Sequence, residues 1–425
     1  MTDYEESYYS ATRNAALGDT GMLRGHAHAD VCVVGGGISG CSAALHLAER
    51  GYKVSLLEAA RIGCGASGRS GGQIIPGLST DVGQFRRSIG EDAVRALWEM
   101  TCEAVALVRR RVAEHQIDCD LKWGYVHAAT RTRHMRELEA WHSDLVRNFN
   151  YDAMQLLDKN GLGEHVRSSR YMGGVHQKDA GHLHPLNYTL GLGRAAQAAG
   201  VRIHEDSRAA AVEHGTKVRA RTAEGEIEAD YVLLCGNAYI NGVASEIENK
   251  VMPVSTYILG TEPLSEGLAS RVLPQDDAVA DLNVMLDYYR LSADRRMLFG
   301  GRVSYTGRQP RNLEGALRRR MSYVFPQLAD VRTDFIWGGL VGVTLNRAPH
   351  FGRLSRNVFF AQGFSGHGMA LTGLAGQLLA EAVAGQAERF DVFARIPHKN
   401  FPGGRSLGIP LRVLGTLYYR LRDLL

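Results

Sequence analysis

Cysteine is scarce in this 425-residue chain: six in all (Cys32, Cys41, Cys64, Cys102, Cys119 and Cys235), with no C-x-x-C pair among them. That scarcity argues against both a zinc knuckle and a disulfide framework and leaves buried, reduced thiols. No uncharged apolar run reaches the roughly 18 residues of a spanning helix, so no integral membrane segment is expected. Charge of one sign is not concentrated anywhere: Lys+Arg 49 against Asp+Glu 45 gives a net +4 spread along the chain. Nucleic acid therefore has no electrostatic footprint to bind. The stretch from Met1 to Asp19 is acidic and Tyr-rich and lacks the basic and apolar segments of a signal peptide, so a cytoplasmic location is expected. Internal repeats and low-complexity linkers are absent too, which excludes solenoids and beads-on-a-string arrays. What is present is a 45% hydrophobic content with 49 glycines, enough for a large core with many tight turns. The length exceeds one ordinary core, so two intertwined domains are expected.

The opening carries the strongest local signal. Ala29 to Glu58 reads A-D-V-C-V-V-G-G-G-I-S-G-C-S-A-A-L-H-L-A-E-R-G-Y-K-V-S-L-L-E: strand, glycine turn, helix, second strand. Gly35 permits the tight turn, Gly37 lets backbone approach a pyrophosphate, and Gly40 lets helix pack closely on sheet. The helix N-terminus faces the phosphates with free N–H groups and its positive dipole end. Glu58 ends the second strand 18 residues past Gly40. There a carboxylate accepts from both ribose hydroxyls and repels a 2′-phosphate, which favours FAD or NAD over NADP. A second glycine-rich stretch follows at once, R-I-G-C-G-A-S-G-R-S-G-G-Q from Arg61 to Gln73. Backbone stripped of side chains suits the second half of a longer cofactor, so FAD is expected; a surface loop is the plainer reading of that stretch.

Helical periodicity recurs over Glu91–Glu114 and Arg133–Arg147, and Pro185–Ala199 reads as a further helix. Val201–His204 and Ala209–Val212 read as short strands, Lys217–Glu228 as a hairpin, and Tyr231–Cys235 as a buried strand closed by Gly236. Val284–Leu291 (V-M-L-D-Y-Y-R-L) and Met297–Gly301 suit an antiparallel sheet roofing a cofactor. A last strand, Asn357–Gln362, leads through G-F-S-G-H-G into a helix running to about Ala384.

These pieces, together with S-Y-Y-S-A at Ser7, Q-I-D-C-D at Gln116, A-G-H-L-H-P-L-N at Ala180, G-N-A-Y at Gly236, L-D-Y-Y-R-L at Leu286, G-F-S-G-H-G at Gly363 and F-P-G-G-R at Phe401, carry a family resemblance. The sequence resembles the FAD-dependent D-amino-acid oxidase, glycine oxidase and sarcosine oxidase superfamily over nearly its full length. Within it, the chain is most similar to the bacterial branch acting on gamma-glutamylputrescine. The resemblance implies an α/β fold with mixed α+β character: a Rossmann-like FAD-binding domain of the D-amino-acid oxidase type with an inserted antiparallel-sheet substrate domain. Residues 26–90, 165–245 and 335–400 are assigned to the FAD-binding domain, 91–164 and 246–334 to the substrate or cap domain. Residues 1–25 then form an N-terminal arm and 401–425 a C-terminal amphipathic tail. The resemblance further implies FAD contacts at Gly35, Gly37, Ser39, Gly40, Glu58 and Ala59. It adds Ala66, Ser67, Gly68, Arg69, Gly72 and Gln73 along the flavin, Ala209 and Gly236 on the adenosine side, and Gly366, His367 and Gly368 near the isoalloxazine.

The activity so implied is oxidation of the primary amine of gamma-glutamylputrescine to an aldehyde, with ammonia and hydrogen peroxide released and O2 as partner. Oxidation of a pipecolate- or sarcosine-like secondary amine, with electrons passing to quinone or O2, is the alternative. Two departures bear on this. Sarcosine oxidases carry a lysine where this chain has Ala370, and glycine and D-amino-acid oxidases carry an arginine in the segment matching Gly339–Leu340–Val341, where this chain has none. Those cations hold a carboxylate on the reacting carbon, so a substrate whose carboxylate lies far from the nitrogen fits better. No cysteine stands at Gly339–Thr344 or around His367, so a non-covalent flavin is expected.

His367, flanked by glycines at a helix start, is the leading catalytic candidate, its charge held down by the dipole. Tyr288 and Arg290 lie on the strand expected over the flavin, one as a pocket wall and the other as holder of the distant carboxylate, unless both are ordinary sheet surface. Trp337 packs either beside the substrate or in the core. His182 and His184 lack nearby acids or cysteines, and no metal is expected. The basic amphipathic run 411–425 suits docking on the protein itself, an oligomer contact or peripheral membrane contact.

Overall fold

The computed structural model describes residues 4–402 apart from 241, 284 and 305–310. The tail at 403–425, including the amphipathic run 411–425, lies outside the described residues. Apolar runs with no polar alternation belong in parallel sheets covered on both faces. D-V-C-V-V obeys that rule: the strand Gly25–Val34 runs parallel between Gly225–Leu234 and Val54–Leu57, with Val31, Cys32 and Val33 fully buried. The eight-stranded sheet orders as His350–Ser355, Val358–Gln362, Gly225–Leu234, Gly25–Val34, Val54–Leu57 and Arg202–His204. The hairpin Ala211–Glu213 and Val218–Arg221 is added antiparallel to Gly225–Leu234.

The helix Ile38–Glu49 packs on this sheet and is crossed by the last long helix, Gly368–Val383. Their contact is close because Gly376 has no side chain: a Cβ there would stand 2.5 Å from Ala43 N and 2.6 Å from Ser39 O. Ser42 Oγ donates to Gly373 O at 2.6 Å across the same crossing.

The second sheet has nine strands: Thr333–Val343, Met252–Pro263, Arg296–Ser304, Tyr288–Leu291, Ala278–Asp281, Lys122–Ala129, Gly173–His182 and Gln73–Ile74 in order, with Met154–Asp158 on the edge of Gly173–His182. Strand alternation sends Val126, Ala128, Val279, Tyr289 and Phe299 outward under the helix Leu313–Val324. It sends Tyr125, Ala278, Ala280 and Tyr288 inward, toward the nucleotide-type sheet. Among the described residues no helix is long and apolar enough to cross a membrane.

Several expectations change. Gly173–His182 and Thr333–Val343, placed with the nucleotide-binding segments, run in the second sheet; apolar pattern marks a strand but not its pairing partner. Lys122–Ala129 and Met154–Asp158 are strands that periodicity did not single out. Of Val284–Leu291 only Tyr288–Leu291 is strand. Asp281 Oδ1 accepts from the N–H of Asn283 and of Asp287, each at 3.1 Å, and turns the preceding chain into a loop.

Candidate active site

Two features converge between the sheets. The first is the glycine turn. Gly35 has φ +111, a conformation that side chains rarely adopt, and a Cβ on Gly40 would sit 1.8 Å from Gly35 O. No side chain caps Ile38–Glu49, whose N-terminus opens toward the loop after the second strand. From that loop Ser67 Oγ accepts from Ile38 N–H at 3.0 Å, and a Cβ on Gly37 would meet Ser67 Oγ at 2.7 Å. Glu58 turns its carboxylate back to the turn, accepting from Gly36 N at 2.7 Å and Ala60 N at 2.9 Å. Enclosure pushes its carboxyl pKa up, against the pull of those amides. Ser39 Oγ is buried with only the weak thiol of Cys235 nearby. A backbone cradle that tolerates no side chain, a helix N-terminus without a capping side chain of its own and an acid at the end of the second strand fit a dinucleotide such as FAD.

Neighbouring predicted contacts fall around the same groove. Ala59 follows Glu58 directly, and Ala66–Gly68 form one turn of 3-10 helix. Gly236 lies against the glycine turn: a Cβ on Gly35 would meet Gly236 N at 3.0 Å. Ala209 is buried in one apolar cluster with Cys32, Leu57 and Leu234. Gly72, at φ +73, accepts Leu183 N–H at 2.9 Å, and Gln73 Nε2 donates to Val279 O at 3.1 Å. The loop carrying the flavin-side residues is thus pinned to the second sheet.

The second feature is the turn before the last helix. Ser365 (φ 54) and Gly366 (φ 98) are both left-handed and present His367 at the start of Gly368–Val383. Asn237 Oδ1 accepts from Gly363 N at 2.9 Å and fills the space left by the missing side chain of Gly342. The G-N-A-Y segment therefore fastens this turn to the strand Thr333–Val343. His127, Tyr288 and His367 are all half-buried, and His127 is near enough to His367 for its field to be felt there. Enclosure first, then the positive fields of His127 and Arg347, lower the His367 pKa to about 4. The helix dipole is not needed to explain its neutrality. The Tyr288 ring lies over Gly300 and against Gly71, two positions where a Cβ would collide with it.

Two predicted site residues face elsewhere. All five N–H groups of Arg290 are engaged: Nε to Gly71 O (2.8 Å), Nη1 to His182 Nδ1 (3.4 Å) and Leu291 O (3.1 Å), Nη2 to Tyr9 Oη (3.2 Å) and Leu183 O (2.8 Å). None remains for a substrate carboxylate, and the residue is 2% exposed. Arg290 is a buried brace for the flavin-side loop. Trp337 is equally buried; its Nε1 donates to Arg69 O at 3.0 Å and Tyr9 packs edge-on against it at 5.1 Å. It supports that loop from behind and does not line the cavity. S-Y-Y-S-A gains its meaning here, because Tyr9 is the wedge shared by Trp337, Arg290 and His184, while Glu5 pairs with Arg69.

His182 and His184 are spoken for by protein partners: His182 Nε2 meets Asp276 O at 2.9 Å, and His184 Nδ1 accepts from Asn187 N at 3.1 Å. His165, His176 and Asp277 bring ligand-type atoms within 4.8 Å of one another. Their closeness follows from a strand lock: Asp277 Oδ1 occupies the space a Cβ on Gly124 would take, and Oδ2 meets His165 Nδ1 at 2.7 Å. The residue that motif reasoning missed is His127. The alternation Tyr125, His127 in K-W-G-Y-V-H-A-A was its one signal.

Comparison with known proteins gives a consistent result. Residues 30–382 match the family model described as FAD dependent oxidoreductase. The gamma-glutamylputrescine oxidoreductase of Escherichia coli (strain K12) is 44% identical over 425 residues, covering 100% of this chain and 99% of that protein. A probable oxidoreductase OrdL of Haemophilus influenzae is 42% identical over 426 residues, 99% and 98% of the two chains. Among solved structures, glycine oxidase from Geobacillus kaustophilus superposes with a TM-score of 0.73 at 20% identity, covering 85% of this chain and 95% of that one. L-Amino acid deaminase from Proteus myxofaciens gives 0.72 at 18%, covering 88% and 94%. At those identities the structural likeness speaks to the fold.

Proposed function

Because the chain belongs to the FAD dependent oxidoreductase family, we propose that it oxidises the primary amine of gamma-glutamylputrescine to 4-(gamma-glutamylamino)butanal, with water and O2 consumed and ammonia and hydrogen peroxide released. The carrying observation is that the segment Gly338–Val341 of the strand Thr333–Val343, on which two glycines face the Tyr257 ring and the Arg69 side chain, carries no cation of its own, while the half-buried His127, Tyr288 and His367 are neutral. A carboxylate on the reacting carbon would find no charge partner on that strand, and burying it unpaired costs several kcal/mol. An amine at the end of an apolar tether avoids that cost. The 44% relative supports the same substrate by its name.

When bound, FAD supplies the acceptor for the two electrons leaving the carbon–nitrogen bond. The glycine turn at Gly35–Gly40 and Glu58 hold its nucleotide half, and Ser67–Gln73 with Gly366–Gly368 hold its flavin half. The chain's remaining work is to keep water away, to admit the amine in its neutral form and to set its C–H at the reactive face. The enclosure that keeps both histidines neutral also disfavours a protonated amine beside them, and the aromatic wall of Tyr288 excludes water. Arg347 is half-buried, makes no ion pair among the described residues and is near enough to depress His367, so it takes the role of holding the glutamyl carboxylate.

The test is an oxygen electrode with coupled peroxide and ammonia assays. One O2 consumed per ammonia released from gamma-glutamylputrescine is the expected outcome. Reduction that proceeds only with an added quinone would replace the oxidase reading with a dehydrogenase.

A further inference from the structure

His127 stands on the cavity face of Lys122–Ala129, the same face as Tyr125, whose Oη approaches Gln73 Oε1 of the flavin-side loop at 3.3 Å. The imidazole is fixed by Tyr125 at 4.8 Å, by the edge of Trp141 at 5.0 Å and by a bond of 2.7 Å between its Nε2 and Gln177 Oε1. Gln177, 1% exposed, donates from Nε2 to Tyr151 Oη at 3.2 Å, and Tyr151 Oη donates to Asp179 Oδ1 at 2.5 Å.

Each link in this chain has its direction set by its ends. An ionised Asp179 only accepts, so it takes the Tyr151 hydroxyl proton and leaves that oxygen to accept in turn. Burial and the Asp179 charge hold the Tyr151 hydroxyl protonated. Gln177 must then turn its NH2 toward Tyr151 and its carbonyl toward His127. A carbonyl cannot donate, so the His127 proton sits on Nε2 and Nδ1 is left with a lone pair. Nδ1 has no hydrogen-bond partner among the described residues and is not fully buried.

We propose that His127 Nδ1 is the acceptor that holds the reacting amine by one of its N–H groups, and that Gln177, Tyr151 and Asp179 are positioning residues that keep this nitrogen unprotonated. The inference rests on the amine-oxidising reading and adds its missing contact. A neutral primary amine gives one N–H to His127 and keeps its own lone pair free to assist departure of the adjacent hydride. Nothing is transferred to His127 itself.

The titratable or charged groups around His127 are Tyr125 on its own strand, Tyr151 and Asp179 through Gln177, and His367, which in turn feels Arg347. The experiment is anaerobic flavin reduction by gamma-glutamylputrescine, followed against pH in wild-type holoenzyme and in His127→Leu, Gln177→Leu and Gln177→Glu holoenzymes with equal flavin content. His127→Leu lowers the reduction rate constant over Kd by roughly 10²-fold, the usual effect of removing one aimed polar group. Gln177→Glu preserves the acceptor for Nε2–H but sets a carboxylate beside the ring. Its acid limb therefore moves up by about one pH unit or more, while the rate on the alkaline plateau stays near wild type. Gln177→Leu slows reduction with no upward move of that limb.

A purely structural role would change the rates equally at all pH, and superimposable pH profiles for wild type and Gln177→Glu would overturn the proposal. A nitrogen-15 histidine spectrum of the holoenzyme, with the His127 signal identified by its loss in His127→Leu, must report the Nε2–H form; the Nδ1–H form overturns the proposal whatever the substrate. If gamma-glutamylputrescine leaves wild-type flavin oxidised and putrescine or sarcosine reduces it, the substrate reading fails alone. The comparison then runs with the reducing amine, and wild-type rates in His127→Leu refute the His127 assignment.

Discussion

Replacing Gly376 by alanine tests whether the two helices that frame the cofactor groove meet as closely as the structure has them. An alanine Cβ would lie 2.5 Å from Ala43 N and 2.6 Å from Ser39 O, against an ordinary contact of at least 3.4 Å, so the helices must part by about 0.8–0.9 Å. Both opposing atoms are backbone in the first turns of Ile38–Glu49 and cannot swing aside. Overpacking of this kind costs about 1–3 kcal/mol, from which the gain of alanine over glycine inside a helix, about 0.5–1 kcal/mol, must be subtracted. The net loss is roughly 0–2.5 kcal/mol, and it falls on the helix whose N-terminus approaches the pyrophosphate, so FAD affinity drops about tenfold. Gly373, one turn earlier in the same helix, is the internal control. The nearest atoms to its added Cβ are at 3.8 and 3.9 Å, and Gly373→Ala gains about 0.5–1 kcal/mol with FAD affinity unchanged. Urea unfolding of the apoprotein and fluorescence titration with FAD measure both quantities. Equal midpoints for the two variants would refute the close crossing.

Arg290→Lys replaces five directed N–H groups with three, leaving at least two buried acceptors unmatched. Stability should fall by about 2–4 kcal/mol in urea titrations, with KM unchanged in the flavin-loaded fraction, whereas a large KM rise at normal stability would restore Arg290 to the substrate. Arg347→Ala should raise KM for gamma-glutamylputrescine roughly 10–100-fold and leave that for putrescine, which has no carboxylate, nearly unmoved; parallel changes for both amines would remove Arg347 from recognition. Burial, then the Arg290 charge, holds His182 and His184 at a pKa of about 3, and burial with His398 does the same for His350. The unfolded chain binds these protons below about pH 6.5 and the folded one does not. Their stabilisation is therefore complete above that pH and is lost as pH falls toward 3. Thermal midpoints should decline from about pH 7 to about pH 4, and a flat profile would contradict the assignment.

The nucleotide half was legible because its requirements are local. A turn at φ +111, a missing Cβ at Gly40 and an acid closing the second strand are fixed within thirty residues of sequence, and each leaves one type of residue acceptable. The cavity was less legible because it is assembled from distant strands. His127 and Gln177 meet only through the pairing of Lys122–Ala129 with Gly173–His182, a register that neither segment announces. Arg290 misled for a related reason. Its position over the flavin-side loop was readable from L-D-Y-Y-R-L, but the acceptors that consume its donors come from Tyr9, Gly71, His182 and Leu183, and no spacing rule brings these together. Trp337 likewise found its partner, Arg69 O, across 268 positions. The domain boundaries shifted with Gly173–His182 and Thr333–Val343, since their apolar patterns suit either sheet.

The most direct test is anaerobic mixing of the purified holoenzyme with gamma-glutamylputrescine, putrescine, sarcosine and pipecolate in turn, following the visible absorption of oxidised flavin. Rapid and complete bleaching by gamma-glutamylputrescine, slower bleaching by putrescine and none by the two amino acids is the predicted pattern. Bleaching by sarcosine or pipecolate alone would keep the fold and the cofactor and contradict the substrate.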